Sequence, residues 1–188
     1  MGLLPKKKHN TMYYSSYEIS ESRNMGAQIY EMSQSILLPK KEAVILCIGT
    51  DRATGDTLGP MVGSLLSQNK CSYKIYGTLK SPVHALNIKD YISLIYTSHN
   101  DPFVIAIDAS LGKCSDIGKI TLSKSPLHPG IGVNKKLPAV GDISITGIVN
   151  MSGKQGLNML QSTRLYTVCN MAMFIAGAIL YSDTLRYE

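Results

Sequence analysis

The sequence predicts an α/β fold of three layers, in which helices cover both faces of a mostly parallel β-sheet. Two continuous apolar runs, AVILCIG at 43–49 and PFVIAIDAS at 102–110, are typical of strands that are buried on both faces. Segments around these runs carry apolar side chains at helical spacing. Strands that alternate with helices usually lie parallel, because each helix returns the chain to the same edge of the sheet.

A single α/β/α domain is expected over residues 16–188, after a flexible basic arm at 1–15. The chain has 188 residues, which is enough for one hydrophobic core. Three lysines lie within the arm and supply part of the net charge of +6. A basic cluster near a terminus is more typical of a solvated tail than of a nucleic-acid groove, since no aromatic residues are interleaved with it. Nucleic acid is therefore not predicted as a partner.

The first half of the domain is expected to hold two helix–strand units. Residues 16–36 predict a helix, with apolar side chains three and four positions apart. Residues 58–68, LGPMVGSLLSQ, predict the helix after the first strand, and the spacing of Gly59 and Gly63 lets it lie close to the sheet. Residues 73–79, YKIYGTL, predict the second strand.

The second half continues the alternation around the apolar strand at 102–110. Residues 85–98 predict an amphipathic helix, and residues 117–123 and 142–150 predict strands. Residues 124–141, rich in glycine, proline and lysine, predict a long loop, and long ordered loops are often functional. A helix at about 162–182 is expected to cover one face of the sheet.

The pattern of cysteines and apolar runs indicates a cytoplasmic protein. The four cysteines form no CxxC pair, which argues against a zinc site and against a disulfide framework. No secretion signal is recognised at the start of the sequence. The longest apolar stretch, residues 168–180, has 13 residues and contains Asn170, so it predicts a buried helix rather than a membrane span.

Acidic residues follow both apolar strands. Asp51 and Asp56 come after the first, and Asp108 directly follows the apolar residues 104–107 of the second. Because ligand sites in parallel sheets form at the carboxyl ends of strands, Asp56 and Asp108 are candidate catalytic residues. Burial and a second carboxylate raise a carboxyl pKa, so such a pair can divide the roles of acid and base. The alternative is structural, with Asp56 capping the next helix and Asp108 starting a turn.

Loops near the strand ends supply further candidates. The segment between Gly49 and Gly55 does not match a phosphate loop, because an aspartate stands where the lysine is required. His84 and His128 are candidate metal ligands or acid–base groups, although a lone loop histidine is more often simply exposed. The long loop also offers Asn134 and Lys135 as substrate-binding residues.

Five long motifs occur in order along the chain: CIGTDRATGDTLGPMVG, YGTLKSPVHALN, FVIAIDASLG, LHPGIGVNKKLPAVGDISITGIVN and LQSTRLYTVCNMA. Together they resemble the YyaC family. The resemblance covers about residues 41–180 and implies a sporulation protease of endospore-forming bacteria, in the sporulating cell or the forespore.

Three shorter segments, GDTLGP, AIDA and HPGIGVNK, resemble the germination protease, which degrades small acid-soluble spore proteins. This resemblance places its two catalytic aspartates at Asp56 and Asp108. It also implies a protein substrate. The hydrogenase maturation proteases share the implied α/β/α fold, also called phosphorylase/hydrolase-like, and their nickel-binding acid falls at Asp56. Their histidine ligand has no certain counterpart here, with His84 and His128 as candidates.

Three functions follow, of which the leading one is a peptidase of germination-protease type. Asp56 and Asp108 would activate a water molecule, Asp51 would support the loop, and Lys135 would orient the substrate. Backbone N–H groups near Gly55 or Gly130 would stabilise the oxyanion.

The two alternatives are a metal-assisted endopeptidase and a binding or scaffold protein. In the first, a divalent ion is held by Asp56, Asp108 and a histidine such as His84. In the second, the acidic residues are structural and the protein does not catalyse a reaction. No cofactor is firmly predicted, no membrane partner is expected, and self-association is left open.

Overall fold

The computed structural model describes residues 11–34, 42–130, 137–153 and 155–187. The strands are β1 (Thr11–Ser15), β2 (Ala43–Cys47), β3 (Lys74–Tyr76), β4 (Phe103–Gly112), β5 (Lys119–Ser123) and β6 (Ile143–Met151). The helices are α1 (Ile19–Gln34), α2 (Leu58–Gln68), α3 (Ile88–Ser98), α4 (Gly156–Gln161) and α5 (Leu165–Thr184). Short 3₁₀ turns occupy Thr54–Thr57 and Cys114–Asp116.

The six strands form one sheet in the order β1-β5-β6-β4-β2-β3. Strands β3, β2, β4 and β6 are parallel, whereas β5 and β1 are antiparallel additions at one side. From β2 the chain moves outward to β3 and then crosses back to β4 on the other side of β2. The order of strands therefore reverses between β2 and β4, and such reversal points open a crevice at the carboxyl ends of the strands.

Helices lie on both faces of the sheet, which confirms the predicted α/β fold. One face packs against α1, α2 and α5 in the larger core, to which Met25, Leu58 and Ile175 contribute. The opposite face of β2 and β4 packs against α3 through Ile88 and Ile95. The continuous apolar runs of β2 and β4 reflect this two-sided burial.

Helix α2 lies close against the end of β2, as the spacing of its glycines predicts. A Cβ atom on Gly59 would lie 2.1 Å from the carbonyl oxygen of Ile48, and one on Gly63 would lie 1.9 Å from that of Gly77. Both distances are far too short for a carbon atom, so the first turns of α2 depend on glycine. This close approach positions the loop between β2 and α2.

Two predicted boundaries are wrong. Residues 11–15, predicted within the flexible arm, form edge strand β1, because they pair with β5 from Thr11–Ser123 to Ser15–Lys119. Residues 1–10 of the arm lie outside the described residues. The chain also forms α4 ahead of α5 (Leu165–Thr184), whereas one helix over 162–182 was predicted.

Helix α5 is longer than the apolar stretch that predicts it. With 20 residues, it is long and apolar enough to cross a membrane by length and composition alone. However, 56% of its most apolar window is buried inside the molecule, and it packs against α1 and α2. This burial is typical of the central helix of a globular domain.

Candidate active site

The loop that follows β2 is anchored to the two neighbouring parallel segments. The Ile48 N–H donates to the Ile107 carbonyl oxygen at 2.7 Å, and the Gly49 N–H donates to the Val83 carbonyl oxygen at 2.8 Å. The chain then leaves the sheet in a tight bend at Gly49, whose φ is +143°. The loop therefore starts from a fixed point at the carboxyl edge of the sheet.

Asp56 is held in the 3₁₀ turn that leads into α2. Its backbone N–H donates to the Ala53 carbonyl oxygen at 2.9 Å, and its carbonyl oxygen accepts the Thr50 N–H at 3.1 Å. These bonds close the loop on itself. Asp56 is only partly exposed, although it lies in a connecting segment.

Asp108 lies where β4 extends beyond the end of β2. The last paired residues of these two strands are Cys47 and Ile107, so Asp108 is the first residue of β4 without a partner in β2. On its other side, β4 continues to pair with β6, where Thr146 is the partner of Asp108. The carboxyl group is half-buried and lies at the reversal point between β2 and β4.

The two carboxyl groups interact electrostatically, and their pKa values are shifted to different degrees. Burial raises the pKa of Asp108 well above its usual range, the Asp56 carboxylate raises it further, and a hydrogen bond from the Ala109 N–H opposes the shift. Burial also raises the pKa of Asp56, whereas a backbone hydrogen bond from Thr50 and the charge of His84 lower it. Asp108 is therefore the stronger candidate for the protonated member of the pair.

Asparagine at position 108 is expected to stabilise the protein at neutral pH. A folded-state pKa above the unfolded value, about 3.9 for aspartate, means that stability is lost as the pH rises through the folded-state pKa. Asp108→Asn keeps the neutral form and avoids that loss. Thermal unfolding between pH 4 and pH 8 should show a higher Tm than wild type only in the upper part of this range.

The matched control is Asp51→Asn, because Asp51 is an exposed carboxylate in the same loop. It should leave the Tm unchanged within about 1 °C, as expected for a surface substitution. A lower Tm for Asp108→Asn across the whole pH range would mean that the ionised carboxylate stabilises the fold, contrary to this account.

The structural alternatives for the two aspartates receive no support. The N-cap residue of α2 is Thr57, and no side-chain capping hydrogen bond is made there. The Thr57 hydroxyl instead donates to the Ala53 carbonyl oxygen at 3.1 Å. Asp108 lies inside strand β4 rather than at a turn. Neither helix capping nor turn formation therefore explains these carboxyl groups.

His84 is the histidine whose charge acts on Asp56. It follows Val83, which forms a parallel bridge with Ile48. Its Nδ1 accepts the Leu86 N–H at 3.3 Å, and its backbone N–H donates to the Asn87 Oδ1 at 2.8 Å. The loop therefore holds the imidazole half-buried near Asp56.

The arrangement does not fit a preformed metal site. Within residues 11–34, 42–130, 137–153 and 155–187, no three His, Cys, Asp or Glu side chains are grouped to hold a metal ion. We therefore derive no step through a metal.

The remaining residues predicted for the site differ in burial, and two of them lie outside the described residues. Gly55 is buried against the segment after α4, since a Cβ atom there would lie 2.8 Å from Thr163 Oγ1. His128 is exposed next to the bridge between Leu127 and Val140, and Gly130 has a φ of +77°. Asn134 and Lys135 lie outside the described residues.

Sequence reasoning missed a set of hydroxyl side chains near Asp108. Thr121 and Thr146 bond to each other through Oγ1 atoms 2.7 Å apart, and Ser110 Oγ donates to the Gly147 carbonyl oxygen at 3.3 Å. The available signal was the alternation of polar and apolar residues in DASLG and DISITGIV, which indicates that one face of these strands is not part of an apolar core.

The fold and the carboxyl pair define an α/β protein with a candidate catalytic site at the strand reversal. A family model described as "Protein of unknown function (DUF1256)" matches residues 12–178, and the chain belongs to this family. The chain is 50% identical over 149 residues to "Uncharacterized protein YyaC" of Bacillus subtilis (strain 168), which covers 79% of this chain and 73% of that protein. The resemblance to the YyaC family is thereby confirmed.

A comparison with solved structures found a [NiFe] hydrogenase maturation protease, HycI from Thermococcus kodakarensis KOD1. The sequences are 14% identical, the match covers 81% of this chain and 99% of that chain, and the TM-score is 0.49.

Proposed function

We propose that this protein is a peptidase in which Asp56 and Asp108 together activate a water molecule. One observation carries the proposal: two carboxyl groups, one in the turn before α2 and one on β4, interact at the strand reversal, with both pKa values raised by burial and that of Asp108 raised further by Asp56. Such a pair can hold one proton between two groups at neutral pH.

In the proposed mechanism the ionised Asp56 acts as the general base. It accepts a proton from water while the water oxygen bonds to the peptide carbonyl carbon. The protonated Asp108 then donates its proton to the amide nitrogen, and the carbon–nitrogen bond breaks. The proton on Asp56 returns to Asp108 through solvent, which restores the starting state of the pair.

The proposed substrate is a small protein of the developing spore, such as a small acid-soluble spore protein. The support is the resemblance of GDTLGP, AIDA and HPGIGVNK to the germination protease. The same resemblance supports action in the cytoplasm of the sporulating cell or the forespore.

A cleavage assay tests the proposal. Purified protein is incubated with a pool of small acid-soluble spore proteins, in chelator and separately with zinc, nickel or manganese ions, and the products are identified by mass spectrometry. Discrete cuts in chelator support the two-aspartate mechanism. Cuts that require an added metal ion would contradict it, and intact substrates under every condition would contradict the proposed peptidase activity on these proteins.

A further inference from the structure

The sheet face that carries Asp108 has two chemically different halves. Over β2 and the first part of β4 the side chains are apolar and are covered by α3. They are Val44, Leu46, Ile48, Val104 and Ala106. Beyond Asp108, towards β6, β5 and β1, the same face carries hydroxyl side chains. The polar half begins at the candidate catalytic residue.

Four residues on neighbouring strands form a row across this polar half. Asp108 pairs with Thr146, Thr146 pairs with Thr121, and Thr121 pairs with Tyr13. Residues in register on adjacent strands point to the same face of a sheet. Their sequence neighbours, among them Tyr14, pack into the core on the opposite face. We call these four residues the cross-strand row.

The hydroxyl groups of the row retain hydrogen-bonding capacity. Thr146 Oγ1 lies 2.7 Å from Thr121 Oγ1 and accepts the Ser110 hydroxyl at 3.5 Å. Each hydroxyl has one donor and two acceptor positions, so only one of the two threonines donates within their pair. Both threonines and Ser110 are partly exposed. The row therefore offers donors and acceptors to a bound molecule.

The chemistry of the row favours an uncharged ligand. The ionised Asp56, whose charge acts on Asp108 at one end of the row, disfavours an anion. Lys119, on the same face of β5, already donates to Asp116 Oδ1 at 2.7 Å. At the other end the Tyr13 side chain is 60% exposed and presents an aromatic ring. Neutral donors and acceptors beside an aromatic surface match a polypeptide backbone with an apolar side chain.

We propose that the cross-strand row binds an extended polypeptide segment beside Asp108, with an apolar or aromatic side chain against Tyr13. This proposal rests on the proposed function and adds the surface that selects the substrate. Strands about 4.8 Å apart give the row a length of about 14 Å, which accommodates about four extended residues. The aromatic preference should therefore fall about four residues from the bond that is cut.

Binding of two blocked tetrapeptides tests this surface without requiring turnover. One has three alanines and a terminal phenylalanine, and the other has four alanines. Chemical shifts of the methyl groups of Thr121 and Thr146 and of the Tyr13 ring are followed by NMR during titration into the full chain. The phenylalanine peptide should bind more tightly and shift all three signals. Absence of shifts at these residues would overturn the proposal.

Variants separate a binding role from a structural one. Thr146→Val should weaken binding about five- to tenfold by removing one hydrogen bond, and Thr146→Ser should restore most of it. Tyr13→Ala should weaken binding of the phenylalanine peptide about tenfold and that of the alanine peptide little. The control is Tyr166→Ala, which removes another tyrosine that is 65% exposed, on α5. Equal weakening by the control would contradict a specific role for the row.

The outcomes also distinguish this proposal from the proposed function. Binding at the row without cleavage of any protein substrate would support the row and contradict the peptidase. Cleavage that is unchanged in rate and site preference in Thr146→Val and Tyr13→Ala would support the peptidase and contradict the row.

Discussion

Replacement of Asp108 by asparagine is expected to lower the rate of peptide-bond cleavage about a hundredfold to ten-thousandfold, the usual contribution of a general acid or base. Asparagine keeps the shape of the side chain but cannot donate the proton that the leaving amide nitrogen requires. Asp56→Asn should cause a loss of the same order, because it removes the base. Both rates are measured on the substrate that the wild type cuts.

A control variant and a double variant test whether the loss of activity is specific to Asp56 and Asp108 acting together. Asp51→Asn should lower the rate far less than either Asp56→Asn or Asp108→Asn, because Asp51 is exposed and has only a supporting role in the loop that carries Asp56. The double variant of Asp56 and Asp108 should be no slower than the slower single variant, since residues that act as a unit are not additive. Wild-type rates in either single variant, or losses that multiply in the double variant, would count against a shared mechanism.

Alanine at position 49 is expected to destabilise the protein by about 3 kcal/mol or more. A Cβ atom on Gly49 would lie 2.0 Å from the carbonyl oxygen of Asp56 and 3.0 Å from Pro60 Cδ. The φ of +143° at this position also disfavours any other residue. To relieve the clash, the turn that carries Asp56 must move away from the end of β2.

Thermal unfolding and activity together measure this effect. The Tm should fall by roughly 6–12 °C, at about 2–4 °C per kcal/mol for a chain of this size, and cleavage by the remaining folded protein should also fall. Gly153→Ala is the control, because nothing lies within 4 Å of a Cβ atom there. A Gly49→Ala protein with unchanged Tm and activity would show that the loop does not depend on this close contact.

The central strands could be predicted from the sequence because their burial is two-sided. Such burial produces an apolar run with sharp ends, as at β2 and β4, and needs no information from distant residues. Strand β1 could not be predicted in this way, since its five residues become a strand through pairing with β5. The start of α5 (Leu165–Thr184) was placed three residues too early, because a largely buried helix has little periodicity to mark its ends.

The candidate site also combines features that local sequence reveals with features that depend on distant residues. Asp56 and Asp108 could be selected from local sequence, because each follows an apolar run that is recognisable by itself. Their electrostatic interaction depends on β2 and β4 being neighbours, which the order of strands decides. The cross-strand row could not be predicted from local sequence, because Thr121 and Thr146 are 25 residues apart and meet only through the register of β5 and β6.

The most direct test of the account is an NMR titration of the side-chain carboxyl carbons of Asp56 and Asp108. The Asp108 pKa is expected to lie well above the ordinary aspartate value of about 3.9 and to fall in Asp56→Asn, because the neighbouring charge is removed while burial remains. An Asp108 carboxyl group that titrates at the ordinary value, with no response to Asp56→Asn, would contradict the claim that the two groups form one coupled site.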